Sequence, residues 1–255
     1  MRDFYSHRFT LPNGVTVCIP SDKGRERGRG IAQEVADRWT PKANYFHLLE
    51  GGHVAAARRH HASPVIAKLD LARFYHQVSR SKVHRALKLI GTPQKDAWEA
   101  ACDSTVERDP GQRNFSLPFG YVQSPILASI ALDHSALGNA IAQLNTGRCL
   151  VSAYVDDIIV SANDTGTVDH ALDQLRTAAG VSGFAINESK SEGPAGEITA
   201  FNIHLGNGRM EITAKRMGEF EAAITDGYPE RIMGILNYVN SVNLGQMEAL
   251  AAAFE

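Results

Sequence analysis

Three carboxylates carry the chemistry open to this chain. Asp156 and Asp157 stand side by side in LVSAYVDDIIVS (150–161), between two apolar runs. Like charges in contact repel, and withdrawing them from water adds to the cost. Asp70 lies in AKLDLARFYHQV (67–78), again inside an apolar segment where a lone charge is expensive. LVSAYV and IIVS each suit a strand, and the two residues between them suit a hairpin turn projecting both carboxylates from one end of a sheet. PVIAKLDL (64–71) suits another strand, with Asp70 near its end. Taken alone, the pair reads equally well as an ordinary surface turn. Three carboxylates meeting at a sheet edge, however, form a hard oxygen site for Mg²⁺. Two such ions about 4 Å apart can activate a hydroxyl and stabilise a leaving pyrophosphate. Cations would then compensate the crowded charges.

The elements that must position these groups interleave along the chain. FTLPNGVTVCIP (9–20) predicts a hairpin turning at Asn13-Gly14. SDKGRERGRG (21–30) predicts a loop, either a phosphate-contacting arm or a merely solvated stretch. IAQEVADRW (31–39) predicts a short helix closed by Pro41, and SKVHRALKLIG (81–91) a helix ending at Gly91. The spacing in LASIALDHSALGNAIAQL (127–144) predicts one long buried helix, and VDHALDQLRTAAG (168–180) another. AINESK, EITAFNIHL and RMEIT read as extended pieces, and ERIMGILNYVNSV and GQMEALAAAF as two short C-terminal helices. No repeat, low-complexity tract or linker interrupts this α/β-type body.

Composition narrows the class. With 255 residues, 44% of them hydrophobic, the chain can bury a sizeable core in one or two domains. The net charge of −2 hides an asymmetry: residues 1–95 hold 17 basic and 7 acidic side chains, and residues 96–255 hold 9 and 21. A basic third joined to an acidic remainder fits a polyanion grip beside a cation-binding centre, or else clusters of charge on solvated faces. Three distant cysteines without a C-x-x-C pair argue against a disulfide framework or a cysteine zinc site, and point to a reducing, cytoplasmic setting. The histidines, including His53, His60 and His61, lack an H-E-x-x-H pattern and read as surface or hydrogen-bonding groups. No signal peptide heads the chain and no apolar run nears the ~20 residues of a membrane span, so no membrane partner is expected.

The motifs resemble those of reverse transcriptases, in order, over roughly residues 45–245. YVDD (154–157) is similar to their Y-x-D-D motif, and LDLARFY (69–75) to their first catalytic motif. LPFGYVQSPILAS (117–129) resembles the G-x-x-x-S-P motif, with Gly120, Ser124 and Pro125 in place. GFAINESK (183–190) resembles the G-(x)₃-N-x-x-K element, and AFNIHLGNGRMEIT (200–213) the primer-grip hairpin. The preceding HLLEGGHVAAARRHH (47–61) looks most like bacterial retron, abortive-infection and phage-defence forms.

The resemblance implies an α+β, right-hand polymerase fold. Residues 1–63 would form fingers, and 64–213 an antiparallel-sheet palm with a fingers segment inserted around 80–115. Residues 214–255 would form a small helical thumb. It implies RNA-directed DNA polymerisation, with Asp70 and Asp156 binding two Mg²⁺ ions (or Mn²⁺), the Leu71 carbonyl assisting and Asp157 close by. Backbone N–H groups at Arg73 and Phe74 would face the triphosphate, Tyr75 would be the steric gate against a ribose 2′-OH, and Lys190 would approach the β- and γ-phosphates. Gly120 would allow close backbone approach to the base pair or sugar, and Arg58 and Arg59 are candidate triphosphate clamps. Core packing is the lesser alternative for Tyr75 and a loop decoration the alternative for Lys190, while Arg58 and Arg59 read equally as surface charges. The implied partners are an RNA template or structured non-coding RNA, the DNA product, dNTPs, and a second protein subunit or another copy of the chain.

Two departures stand out. Phe119 replaces the Gln common before the motif glycine and cannot make its hydrogen bond to the nucleotide sugar, so unusual template or nucleotide handling is expected. Only 42 residues follow Thr213, so a small thumb, with weak processivity unaided, is expected. Alternatives are untemplated or protein-primed synthesis by the same palm, and a non-catalytic palm scaffold. An RNA polymerase or nucleotide cyclase palm is disfavoured by the S-P motif and Tyr75.

Overall fold

The computed structural model describes residues 4–12, 14–108, 111–225 and 227–253. It opens on a hairpin of β1 (Tyr5–Thr10) and β2 (Thr16–Pro20). Gly14 in its connection takes a φ of +80°, and Asn13, the other half of the expected turn, lies outside the described residues. Helix α1 (Asp22–Ala36) follows at once, where a loop is expected. Ser21 caps it, its Oγ accepting the Gly24 N–H at 3.1 Å. Two of the three glycines that suggest a loop are packing sites: a Cβ at Gly24 would lie 1.9 Å from the Phe4 carbonyl oxygen, and one at Gly28 would lie 2.3 Å from the Gln123 side chain, whereas Gly30 faces open space. Segments 21–30 and 31–39 are therefore largely one helix, which ends five residues before Pro41.

A 3-10 turn (Phe46–Leu48) and α2 (Gly52–His60) lead into β3 (Val65–Asp70) and the short α3 (Phe74–Gln77). Next come α4 (Arg80–Leu89), α5 (Gln94–Ser104), β4 (Val106–Glu107) and β5 (Phe115–Ser116). The single helix expected over 127–144 is two, α6 (Ser124–Asp133) and α7 (Ala136–Leu144). The break has a local cause. Ser135 Oγ accepts the Gly138 N–H at 3.1 Å, starting a new helix, and Gly138 abuts the end of α6, where a Cβ would lie 2.2 Å from the Leu132 carbonyl oxygen.

The remainder runs β6 (Cys149–Tyr154), β7 (Asp157–Ala162), α8 (Thr165–Val181), β8 (Glu192–Ala195), β9 (Glu197–Ala200), β10 (Ile203–Gly206) and β11 (Arg209–Ile212). AINESK is turn and irregular structure instead of strand, apart from a single bridge at Ile186. Among the described residues, three helices close the chain where two are expected: α9 (Ala214–Thr225), α10 (Pro229–Val242) and α11 (Leu244–Ala252). The additional helix, α9, buries Phe220 and Ile224 against Val239 and Leu250 of its neighbours.

Ile158, Ile159 and Val160 are consecutive and all buried, which requires a strand covered on both faces. β7 meets that need at the centre of an antiparallel sheet ordered β6-β7-β3-β8. On one face Ala67, Leu69, Ile158 and Val160 join the main core with residues of α6, α7 and α8. On the other, Ile66 and Ile159 pack with Val54 and Ala57 of α2 and with β9, β10 and β11, which form their own antiparallel sheet. His60 of α2 reaches that face too, its ring nitrogens each 2.8 Å from Ser161 Oγ and Ser152 Oγ. Among the described residues, no helix is long and apolar enough to cross a membrane.

Candidate active site

The strand register brings the acidic residues together. β3 and β7 pair with Asp70 directly opposite Asp157, and β7 pairs with β6 so that Asp157 also faces Tyr154. Opposed residues of an antiparallel pair share a face, with Cβ atoms about 5 Å apart. The two residues of the turn are Val155 and Asp156, one position earlier than the expected Asp156-Asp157, so Asp157 opens β7. Val155 takes a φ of +56°, a region that costs a β-branched residue about 1–3 kcal/mol. Neighbours hold it there. His47 Nδ1 accepts the Val155 N–H at 3.3 Å, and the Leu71 N–H donates to the Asp156 carbonyl at 2.8 Å.

Electrostatics mark this corner. Burial, then the charge of Asp156 and that of Asp70, push the Asp157 carboxyl up to about 7, against the opposing pull of Lys68 and Lys190. Asp156 is raised chiefly by burial, with Asp70 adding to it and the same two lysines offsetting it. Lys190 arrives on a pinned turn: the Asn187 N–H donates to the Asp70 carbonyl at 2.8 Å, and the Lys190 N–H to the Asn187 carbonyl at 3.1 Å. Among the described residues, no three acidic, His or Cys side chains are already gathered tightly enough to chelate an ion. The donor chemistry nonetheless suits a hard divalent cation, whose charge would relieve the suppressed ionisation of Asp156 and Asp157.

The motif aromatics also meet. Tyr75 is buried, its ring 4.7 Å from that of Phe119 between centroids, and its hydroxyl is pushed up to about 12 by burial and by the charge of Asp156. Phe74 packs on Phe184 at 5.6 Å, and Arg73 takes a left-handed φ of +47° at the head of α3. The loop carrying Phe119 is closed by Ser124 Oγ donating to the Pro118 carbonyl at 2.8 Å. Gly120 permits a close approach, but to protein: at its φ of +96° a Cβ would lie 2.3 Å from the Cys18 carbonyl oxygen of β2. The Cys18 N–H donates to the Phe119 carbonyl at 2.9 Å.

Arg58 and Arg59 are not brought to the carboxylates. Arg58 donates to the Ser241 carbonyl of α10, and Arg59 to Asn145 Oδ1 at 2.8 Å, toward the opposite end of β6 from Tyr154. Conversely, Lys68 and His47 are site residues that sequence reasoning missed. Lys68 precedes Asp70 by two on the same strand, a period-2 signal that it shares the carboxylate face. His47 lies 108 positions from the turn that it supports, and no local pattern reveals that contact.

A family model described as reverse transcriptase (RNA-dependent DNA polymerase) matches residues 18–201, while no curated protein matches the chain. Telomerase from Candida albicans, solved with a fragment of telomeric RNA, superposes at a TM-score of 0.58 and 12% identity, over 95% of this chain and 54% of that one. Apo telomerase from Candida tropicalis gives 0.56 and 12%, over 80% and 48%. The foamy viral protease-reverse transcriptase, solved with an RNA/DNA hybrid, gives 0.53 and 13%, over 91% and 26%. This chain thus spans about a quarter to a half of the length of those chains. At such identities the likeness carries the fold alone, the right-hand polymerase architecture of mixed helices and antiparallel sheets. With its family model covering most of its length, the chain belongs to the reverse transcriptase family.

Proposed function

We propose that this chain is an RNA-directed DNA polymerase that transfers nucleotides at the Asp70, Asp156 and Asp157 corner. The carrying observation is the register pair Asp70–Asp157 beside the strained Val155-Asp156 turn. The three carboxylates and the Leu71 carbonyl would hold two Mg²⁺ ions, with Mn²⁺ as a substitute; the ions would supply hydroxyl activation and neutralisation of pyrophosphate charge. Lys190, on its pinned turn, orients toward the leaving phosphates and can return a proton to them. Backbone N–H groups at Arg73 and Phe74 bind the triphosphate, and the Tyr75 ring excludes a 2′-hydroxyl. An RNA–DNA duplex is gripped through shape and phosphates, without base readout.

In this reading residues 1–63 and the 80–115 segment are fingers, 64–213 otherwise palm, and 214–255 thumb. We place the enzyme in the cytoplasm of a prokaryote, in anti-phage defence with a non-coding RNA or protein partner. The support is the likeness of residues 47–61 to bacterial forms. Primer extension on an RNA template, with dNTPs against rNTPs, tests the activity. DNA products lost in Asp70→Asn are expected, and extension unaffected by that change would overturn the reading.

A second reading, synthesis without an ordinary template or from a protein hydroxyl, is favoured by Phe119, which offers Tyr75 a ring where a hydrogen-bonding Gln is usual. A Phe119→Gln variant with an unchanged product spectrum would remove it. A scaffold role would be removed by loss of biological activity in Asp156→Ala.

A further inference from the structure

At the N-terminus of α2, His53 touches three other parts of the molecule. Its ring lies 5.7 Å from Tyr154 of the catalytic hairpin, 5.5 Å from Phe201 at the β9–β10 turn and 5.6 Å from Tyr238 of α10, between centroids. Its Nε2 is 3.1 Å from the Tyr238 hydroxyl. Tyr154 and Phe201 also meet each other, edge to face at 5.2 Å, and Tyr238 meets Phe220 of α9 at 5.6 Å. A continuous line of rings therefore runs from the C-terminal helices through His53 to the residue just before Val155-Asp156.

The ends of this line join packed apolar clusters, Phe220 being buried among the C-terminal helices and Phe201 and Tyr238 resting on the β9–β11 cluster. Its middle is open: His53 is only part-buried, and the rings border an open cavity of about 420 Å³ that also receives Arg216 and Arg231. A ring stacked in a wet cleft adds little to global stability, yet here it fixes the relative position of three elements. The C-terminal helices have a separate anchor on the β10–β11 hairpin. Gln246 there accepts the Ile212 N–H at 2.7 Å and donates to the Ile212 carbonyl at 2.9 Å. Losing His53 would therefore loosen the alignment of these helices without detaching them.

We propose that His53 is a positioning residue that aligns the C-terminal helices and the Phe201 turn with the catalytic hairpin, and so governs the use of primer–template. This rests on the polymerase reading. Tyr75 and Phe119, which this reading places against the dNTP, stack on none of these rings; only Tyr154 lies near enough to act on the Tyr75 hydroxyl, so nucleotide binding is expected to change far less than primer–template binding.

Steady-state primer extension, with melting temperature and duplex binding by fluorescence anisotropy, tests the assignment. His53→Ala is expected to raise the KM for primer–template about tenfold, as for loss of one hydrogen bond and its stacking, and to weaken duplex binding in parallel. The KM for dNTP, kcat at saturating primer–template and the melting temperature stay near wild type. Tyr238→Phe, which deletes one oxygen, is expected to show a smaller rise of the same kind, and His53→Gln to recover part of the loss by keeping a partner for the Tyr238 hydroxyl. The double variant His53→Ala, Tyr238→Phe should bind primer–template no more weakly than His53→Ala alone. Unchanged primer–template KM in both single variants, a fall confined to kcat, or strictly additive effects would each overturn the proposal. A wild-type protein that binds duplex but extends no primer would instead strike the polymerase reading, leaving the anisotropy arm to judge His53.

Discussion

Asp157 pays for its position: buried, and opposed by the charges of Asp156 and Asp70, its carboxyl ionises only near neutrality. Replacing Asp70 or Asp156 with Asn keeps the shape and removes a charge, so the folded chain gains or holds stability while losing the proposed ion ligands. Primer extension should fall by at least about 10³-fold in either variant, with a melting temperature equal to or above wild type. A variant that unfolds earlier would mean that the carboxylates are structural. At Tyr75 the expectation concerns selectivity: Tyr75→Ala should raise rNTP relative to dNTP incorporation by about 10²-fold, and Phe119→Ala, by freeing the ring it backs at 4.7 Å, by a smaller factor. Incorporation ratios from paired dNTP and rNTP extensions check both. The carboxylates were legible in the sequence because charge inside apolar strands is conspicuous. Lys68 was legible in principle through its spacing of two from Asp70, whereas His47 and His53 act through distant contacts that no local pattern encodes.

Among the elements, strands read well because their burial dictates their composition; β3 and β7 are near-continuous apolar runs covered on both faces. Helices read less well where glycine is a packing residue instead of a breaker. At Gly24 of α1 and Gly138 of α7 a backbone carbonyl oxygen occupies the place where a Cβ would stand. Gly138→Ala, forcing a methyl against the Leu132 carbonyl, should therefore cost about 3 kcal/mol in chemical denaturation, although alanine is the better helix former. A stabilised variant would contradict that packing. His60 adds a pH dependence between α2 and the sheet. Burial holds its imidazole down at about 3, below the usual 6.5. Between those values the unfolded chain binds a proton that the folded chain refuses, so stability is full above about pH 6.5 and falls as the pH drops toward 3. His60→Gln should remove about one proton from the slope of unfolding free energy against pH, roughly 1.4 kcal/mol per pH unit. An unchanged slope would show that the site admits the charged ring.

For the whole molecule, the asymmetry of charge outlasts folding. Lys23, Arg29, Arg38, Arg85, Lys88 and Lys95 all remain exposed, whereas the carboxylates of the proposed catalytic corner are partly or fully withdrawn. Binding of a phosphate backbone to such a surface releases counterions, so affinity should fall steeply with salt. A primer–template duplex is expected to bind at least about tenfold more weakly at 200 mM than at 50 mM monovalent salt, the behaviour of a few phosphate contacts. Changing Lys23 and Arg29 to Gln tests whether α1 shares in the grip, since each lost contact lowers the slope of log affinity against log salt by about 0.9. The sequence could not separate a phosphate-contacting arm from a merely solvated stretch, because both expose the same charges. Folded as a helix, the segment keeps Lys23 and Arg29 in solvent while Arg27 pairs with Asp103 at 2.9 Å. A double variant with an unaltered salt slope would assign these charges to solvation and move the grip to the remaining basic surface; a slope lowered by about two would place the duplex against α1.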